Sequence, residues 1–155
     1  MAIVAVQTNS EDDPALPPGL GFMQLLWAVD HGLGVTSRRM VRRLGLTGPQ
    51  RLVIRLLGRF PGTSPGALAR MMRLHAGTVS VVLRTLASRR LVARETDPLD
   101  ARRTLLRLTA RGSELDAPHR DTVEAAVSRV LVRIPRRHVA IARHVLRELE
   151  AELTR

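Results

Sequence analysis

The chain has 155 residues, the length of one domain with a substantial core. It has no cysteine, which excludes a disulfide framework, a cysteine zinc site and a thiol redox sensor. Its 25 basic residues are all arginine, and against 14 acids the net charge is +11, a bias that favours a polyanionic partner, nucleic acid first.

Codon bias explains arginine in place of lysine. It does not explain an excess of positive charge, and the charge is unevenly placed. Residues 36–111 hold 17 arginines and three acids, Glu95, Asp97 and Asp100, whereas the remainder is net acidic. The middle of the chain is therefore the electrostatic footprint. Apolar runs reach about five residues, far short of the roughly 18 a membrane span needs, so no membrane partner is expected. Residues 1–18 lack the basic leader of an export signal and read as a loose arm or a short segment packing on a partner, and the chain is expected in the cytoplasm.

A first helix is expected over residues 20–44, where Phe22, Leu26, Val29 and Leu33 recur at helical spacing. Gly32 and Gly34 predict a kink or break at 31–36. Thr47-Gly48-Pro49-Gln50 carries a capping threonine with glutamine three residues on, and opens a second helix that ends at Pro61-Gly62. Ser64-Pro65 opens a short third helix to about residue 74. A turn through His75-Ala76-Gly77 leads to a fourth over 78–89, with Val79, Val82, Leu83 and Leu86 as its buried stripe. Two short helices, a tight turn and a basic second helix make a helix-turn-helix. Leu91-Val92-Ala93-Arg94-Glu95-Thr96 and Arg103-Thr104-Leu105-Leu106-Arg107-Leu108 then read as strands around the turn Asp97-Pro98-Leu99-Asp100. A strand, a basic turn and a strand after a helix-turn-helix form a wing.

Thr109 caps a helix running toward Ile134, interrupted or kinked at Pro118. Pro135 opens the last helix, where Val139, Ala142, Leu146, Leu149 and Leu153 form an apolar seam. The seam packs on a second subunit or on the chain's own first helix. Arg136 and Arg137 at its start, with Glu148, Glu150 and Glu152 at its end, oppose the helix dipole. An antiparallel neighbour offsets that opposition; plain solvation also accounts for it.

The fold class is mainly α with a small β-wing. A winged helix-turn-helix reader over 47–111 is flanked by helices over 19–46 and 112–155 that are expected to serve dimerisation, all in one structural domain. Thr78 and Ser80 can bond bases or phosphates, Thr78 alternatively serving only as a helix cap, and Val81 can touch a thymine methyl. Arg84 suits a bidentate guanine contact or a phosphate. Arg70, Arg73, Arg89, Arg90 and Arg94 are phosphate candidates.

From residue 44 to 116 the sequence resembles the MarR family of winged-helix transcription regulators. Three segments carry the resemblance. They are Leu46-Thr47-Gly48-Pro49-Gln50; Gly77-Thr78-Val79-Ser80 ahead of Leu83-Arg84-Thr85-Leu86; and Asp97-Pro98-Leu99-Asp100-Ala101-Arg102-Arg103 with Leu108-Thr109-Ala110-Arg111-Gly112. The resemblance implies a homodimer on double-stranded DNA at an inverted repeat, a repressor or activator, in many members released by a small, often aromatic, effector. Residues 77–89 correspond to the family's recognition helix, and Arg102 matches its wing arginine, expected in the minor groove. Arg103 braces Arg102 or takes a phosphate, and Asp100 holds the arginines or shapes the turn. Four positions depart from the family pattern: Arg51 where an aromatic is frequent, Val81 where a polar or basic residue is frequent, Arg90 in place of glycine, and Ala101 in place of a second basic residue. Half-sites one turn apart, about 34 Å, are expected. The runner-up reading is a low-specificity architectural winged-helix protein.

Trp27 and His31 share a helix face, and with Arg51 they suggest a pocket for an aromatic carboxylate. The alternative for Trp27 is core or dimer packing. The five histidines, His31, His75, His119, His138 and His144, are scattered without metal-ligand spacing, so no metal and no cofactor is expected. No glycine-rich phosphate loop or nucleophile setting is present, so an enzyme is not expected.

Overall fold

A computed structural model describes residues 16–155. The arm expected over 1–18 lies outside the described residues up to residue 15, and its last residue, Pro18, already opens the first helix. The elements in order are α1 (Pro18–Leu44), α2 (Gly48–Arg59), α3 (Pro65–Met72), α4 (Ala76–Ser88), β1 (Val92–Asp97), β2 (Asp100–Leu108), α5 (Ala110–Glu114), α6 (Val123–Leu131) and α7 (Arg136–Leu153).

The local signals act as expected where they are short-range. Thr47 accepts from the Gln50 amide at 3.4 Å while the Gln50 side chain accepts from the Thr47 amide at 3.0 Å, a complete capping box for α2. Ser64 caps α3 through the Ala67 amide, and Thr109 caps α5 through the Gly112 amide. The break expected at 31–36 is absent: α1 runs 27 residues without interruption. Each glycine costs about 1 kcal/mol relative to alanine, which a helix bonded on both sides absorbs. It ends at Gly45 in the left-handed conformation (φ +66°), whose amide bonds the Val41 carbonyl. The helix expected from Thr109 toward Ile134 is interrupted over 115–122, around Pro118, and divides into α5 and α6.

β1 and β2 pair antiparallel, Val92 opposite Leu108 and Asp97 opposite Asp100. Thr63 bridges Leu106, tying the α2–α3 loop to the sheet. Gly112 lets α5 start against the chain entering β1, since a Cβ there would run into the Leu91 carbonyl. Thr109 reinforces the junction, its hydroxyl donating to the Arg90 carbonyl at 2.7 Å.

The core lies almost wholly inside the reader. Leu46, Val53, Ile54, Leu57, Leu68, Met72, Val79, Leu83, Leu86, Leu91, Val92 and Leu106 form one buried cluster. By contrast α1 buries only Met40, and α6 and α7 bury no residue within this chain.

Candidate nucleic-acid interface

α3 ends at Arg73, itself left-handed (φ +54°), and the chain turns through Leu74 and His75 into α4. α4 begins at Ala76, so Thr78 is its third residue and not its cap. Val79, Leu83 and Leu86 sink into the core with Val82 packed partly against it, and helical geometry turns the opposite face outward. Thr78, Ser80, Val81, Arg84 and Ser88 are all exposed. No side chain caps the start of α4, which leaves its first amides open to an anion.

Between α4 and β1 lies an open groove of about 480 Å³ lined by Ser80, Arg84, Ala87, Ser88 and Arg94. It brings Ser80 and Arg84 together with Arg94. Ser88 was not singled out in the sequence, although its spacing four residues beyond Arg84 and eight beyond Ser80 puts it on their face. Its hydroxyl donates to the Thr85 carbonyl at 2.9 Å, so its lone pairs remain available.

Two of the arginines next to this face are engaged elsewhere. Arg73 pairs with Glu150 of α7 at 2.6 Å. Arg89 donates to the Gly45 carbonyl, joining the end of α4 to the end of α1. Arg90 adopts φ +57°, which explains why glycine suits this position.

The wing projects Arg102, whose side chain is 93% exposed. Asp100 accepts from the Arg102 amide at 3.1 Å and lies a loose 3.5 Å from its Nε. Asp97 accepts from the Leu99 amide at 2.9 Å and sits 3.7 Å from Arg103. Farther down the hairpin Arg107 pairs with Glu95 at 3.0 Å. The two aspartates thus fold back onto the hairpin, and the guanidinium of Arg102 stands free of close pairing.

The three residues expected to hold an aromatic acid are not brought together. Trp27 (67% exposed) and His31 lie open on α1. Arg51 is 1% exposed, and its fork is filled: Nε donates to Glu124 at 2.7 Å, Nη2 to the Ala117 carbonyl at 2.9 Å, and Nη1 to the Leu115 carbonyl. A carboxylate reaching Arg51 would have to displace Glu124 or both carbonyls. Burial alone would raise the Glu124 pKa. The Arg51 hydrogen bond, its own backbone amide, the Thr122 hydroxyl and the Arg51 charge outweigh burial and hold it below 4.5. Arg55 with Asp116 at 2.6 Å, and Arg43 with Asp121, extend the same seam. Sequence reading missed this seam because its acids lie more than 60 residues from their arginines.

Among the described residues no three histidine or carboxylate side chains gather as a metal site would require, and no helix is long and apolar enough to cross a membrane.

A helix-turn-helix whose second helix presents a polar, basic face, followed by a two-stranded basic hairpin, is a winged helix. Residues 44–103 match the sequence model of the MarR family. The HTH-type transcriptional repressor Rv2887 of Mycobacterium tuberculosis is 37% identical over 91 residues, covering 59% of this chain and 66% of the relative. The match thus spans just under two thirds of that curated relative's length. The solved structure of the Mycobacterium tuberculosis MarR family protein Rv2887 in complex with p-aminosalicylic acid is 30% identical over 87% of this chain and 99% of that one, with a TM-score of 0.53. The S. aureus MepR–DNA complex shares the fold at 19% identity, covering 85% of this chain and 97% of that one, with a TM-score of 0.68. The chain belongs to the MarR family.

Proposed function

We propose that this chain is a homodimeric transcriptional repressor that binds double-stranded DNA and is released by a small effector. The observation that carries the reading is the exposed face of Thr78, Ser80, Val81 and Arg84, continued by Arg94 and the exposed Arg102. It lies on the segment where 17 arginines face three acids. α4 enters the major groove, where Arg84 reads guanine and Val81 contacts a thymine methyl. Arg102 enters the minor groove, Arg103 braces the wing or takes a phosphate, and Asp100 shapes the turn. Arg73 reaches a phosphate once it leaves Glu150. Support also comes from the relatives, one named a repressor and another solved with DNA.

Unburied apolar surface supports the homodimer. Leu25, Trp27 and Val29 on α1 and Ile141, Leu146 and Leu153 on α7 are all more than half exposed. Exposed apolar surface of that extent, on more than one side of α1, marks a docking surface. A second copy covering it also sets the acidic end of one α7 against the basic start of the other.

For the effector, a cavity of about 300 Å³ lies between the end of α1 and the segment before α6, lined by Met40, Arg43, Leu44, His119, Arg120, Asp121 and Thr122. Its size suits a single-ring acid at the lower end of ligand sites. Such an acid would compete with Asp121 for Arg43 and shift α1 against α6, and so alter the spacing of the two readers. Trp27 and His31, covered by the second subunit, would report on that shift. The Rv2887 complex with p-aminosalicylic acid supports this ligand class.

Sedimentation of the chain alone and with a random-sequence duplex at 50 mM salt tests the reading. The expected result is two chains free and two per duplex, with p-aminosalicylic acid lowering occupancy. A monomer at micromolar concentration, or no duplex bound, would contradict it.

A further inference from the structure

The tip of the wing is built the wrong way round for a solvated turn. Asp97 pairs with Asp100 beyond a register irregularity that leaves Ala101, Arg102 and Arg103 without partners on β1, so the tip itself is the dipeptide Pro98-Leu99. Two-residue hairpins favour Asn-Gly or Gly-containing turns with positive φ. Here neither residue has positive φ, since Arg73 and Arg90 are the non-glycine residues that do among those described. The two flanking aspartates hold the tip instead, through the Leu99 and Arg102 amides at 2.9 Å and 3.1 Å. As a result Asp97 turns inward and the apolar pair turns outward. The Asp97 side chain is 11% exposed and Leu99 is 95% exposed, more than any other large apolar residue described. Asp at the first position and Pro at the second suit a type I turn, so the backbone is ordinary, and the outward leucine is the feature with no packing role inside the chain.

We infer that Pro98-Leu99 is an apolar wedge that the wing carries into the minor groove, with Leu99 packed on the sugar walls and base edges beside the guanidinium of Arg102. This rests on the DNA-binding reading above. The flanking charges choose the partner, since Arg102 and Arg103 stand on the same hairpin and suit phosphate-lined walls rather than a neutral protein surface. Leucine and proline are among the side chains that wedge minor-groove base steps, most easily at flexible pyrimidine–purine steps. Leu99 therefore acts as a specificity-determining residue, selecting the deformable sequence that flanks each half-site.

The test compares wild type, Leu99→Asn, Leu99→Met and Arg102→Ala on a duplex enriched by wild type from random sequence, across 50–200 mM salt. Leu99→Asn should bind about tenfold more weakly, within what partial burial of a leucine supplies, with an unchanged salt slope because no phosphate contact is lost. In a fresh selection it should lose the flanking preference and keep the central one. Leu99→Met should stay near wild type, and Arg102→Ala should flatten the salt slope. All thermal midpoints should match wild type, because Leu99 packs on nothing in the free chain. Leu99→Asn binding within twofold of wild type with its flanking preference intact would overturn the wedge and leave the repressor reading standing. A changed salt slope in Leu99→Asn would also overturn it, showing that the tip acts by moving the arginines. If wild type enriches no duplex and holds none, the DNA-binding reading itself fails, and the wedge with it.

Discussion

Replacing Arg51 with leucine keeps much of the buried volume but removes every donor of the guanidinium. The Leu115 and Ala117 carbonyls and the Glu124 carboxylate then lose their partner together. An acceptor left unmade in the interior costs about 1–3 kcal/mol. Glu124 is half-buried and can turn to water, so the two carbonyls carry most of the loss, and the leucine's own burial offsets about 1 kcal/mol. The net expectation is about 2–3 kcal/mol of destabilisation for Arg51→Leu. Glu124→Gln should cost about 1 kcal/mol or less, because its amide oxygen still accepts from Nε. The assay is urea unfolding at fixed protein concentration and pH 7, read as a shift in midpoint at constant slope. The pH arm has a definite sign. The Glu124 pKa is depressed in the folded chain, so its stabilisation is fully present above the unfolded value near 4.5 and is lost as pH falls through the lower folded value. Glu124→Gln should remove that part of the acid-side loss. Wild-type stability in Arg51→Leu would refute the reasoning and return Arg51 to the ligand candidates.

Gly112→Ala should destabilise by about 3 kcal/mol or more, since its Cβ meets the Leu91 carbonyl, and a thermal midpoint within 2 °C of wild type would contradict that. Arg90→Gly should raise stability by about 1 kcal/mol by relieving φ +57°, read as a higher thermal midpoint. Arg84→Ala should relax base preference at one position of each half-site by about 1–3 kcal/mol, measured by competition between guanine-containing and substituted duplexes. Glu150→Gln should release Arg73, tightening DNA binding by less than about fivefold and steepening its salt slope, because an exposed ion pair is worth about 0–1 kcal/mol.

What the sequence revealed was local. Thr47 with Gln50, Ser64 and Thr109 announce their helices because each cap and its amide lie three residues apart. Asp97 and Asp100 announce the wing just as locally, each accepting from an amide two residues on. The alternation of Val79, Leu83 and Leu86 with Ser80 and Arg84 was enough to orient α4. The uninterrupted α1 was not legible, since glycine propensity argues for a break that helix cooperativity overrides. Nor was the left-handed Arg73, which ends α3 where glycine would ordinarily signal the stop. Arg51 looked available because its partners, Glu124 and the carbonyls of Leu115 and Ala117, arrive from a segment that only the folded chain brings across α2. The orientation of Leu99 depended on where two aspartate side chains turn, which spacing alone does not determine.

The central claim is that two copies of this chain read an inverted repeat through α4 and the wing. Selection of binding sites from random duplex DNA at about 150 mM salt tests it most directly. The account predicts enrichment of a pseudo-palindrome with half-sites about one helical turn apart, favoured over bulk DNA by 10³ or more. Enrichment of arbitrary or merely A·T-rich duplex, with no repeat, would contradict it and support a low-specificity architectural protein.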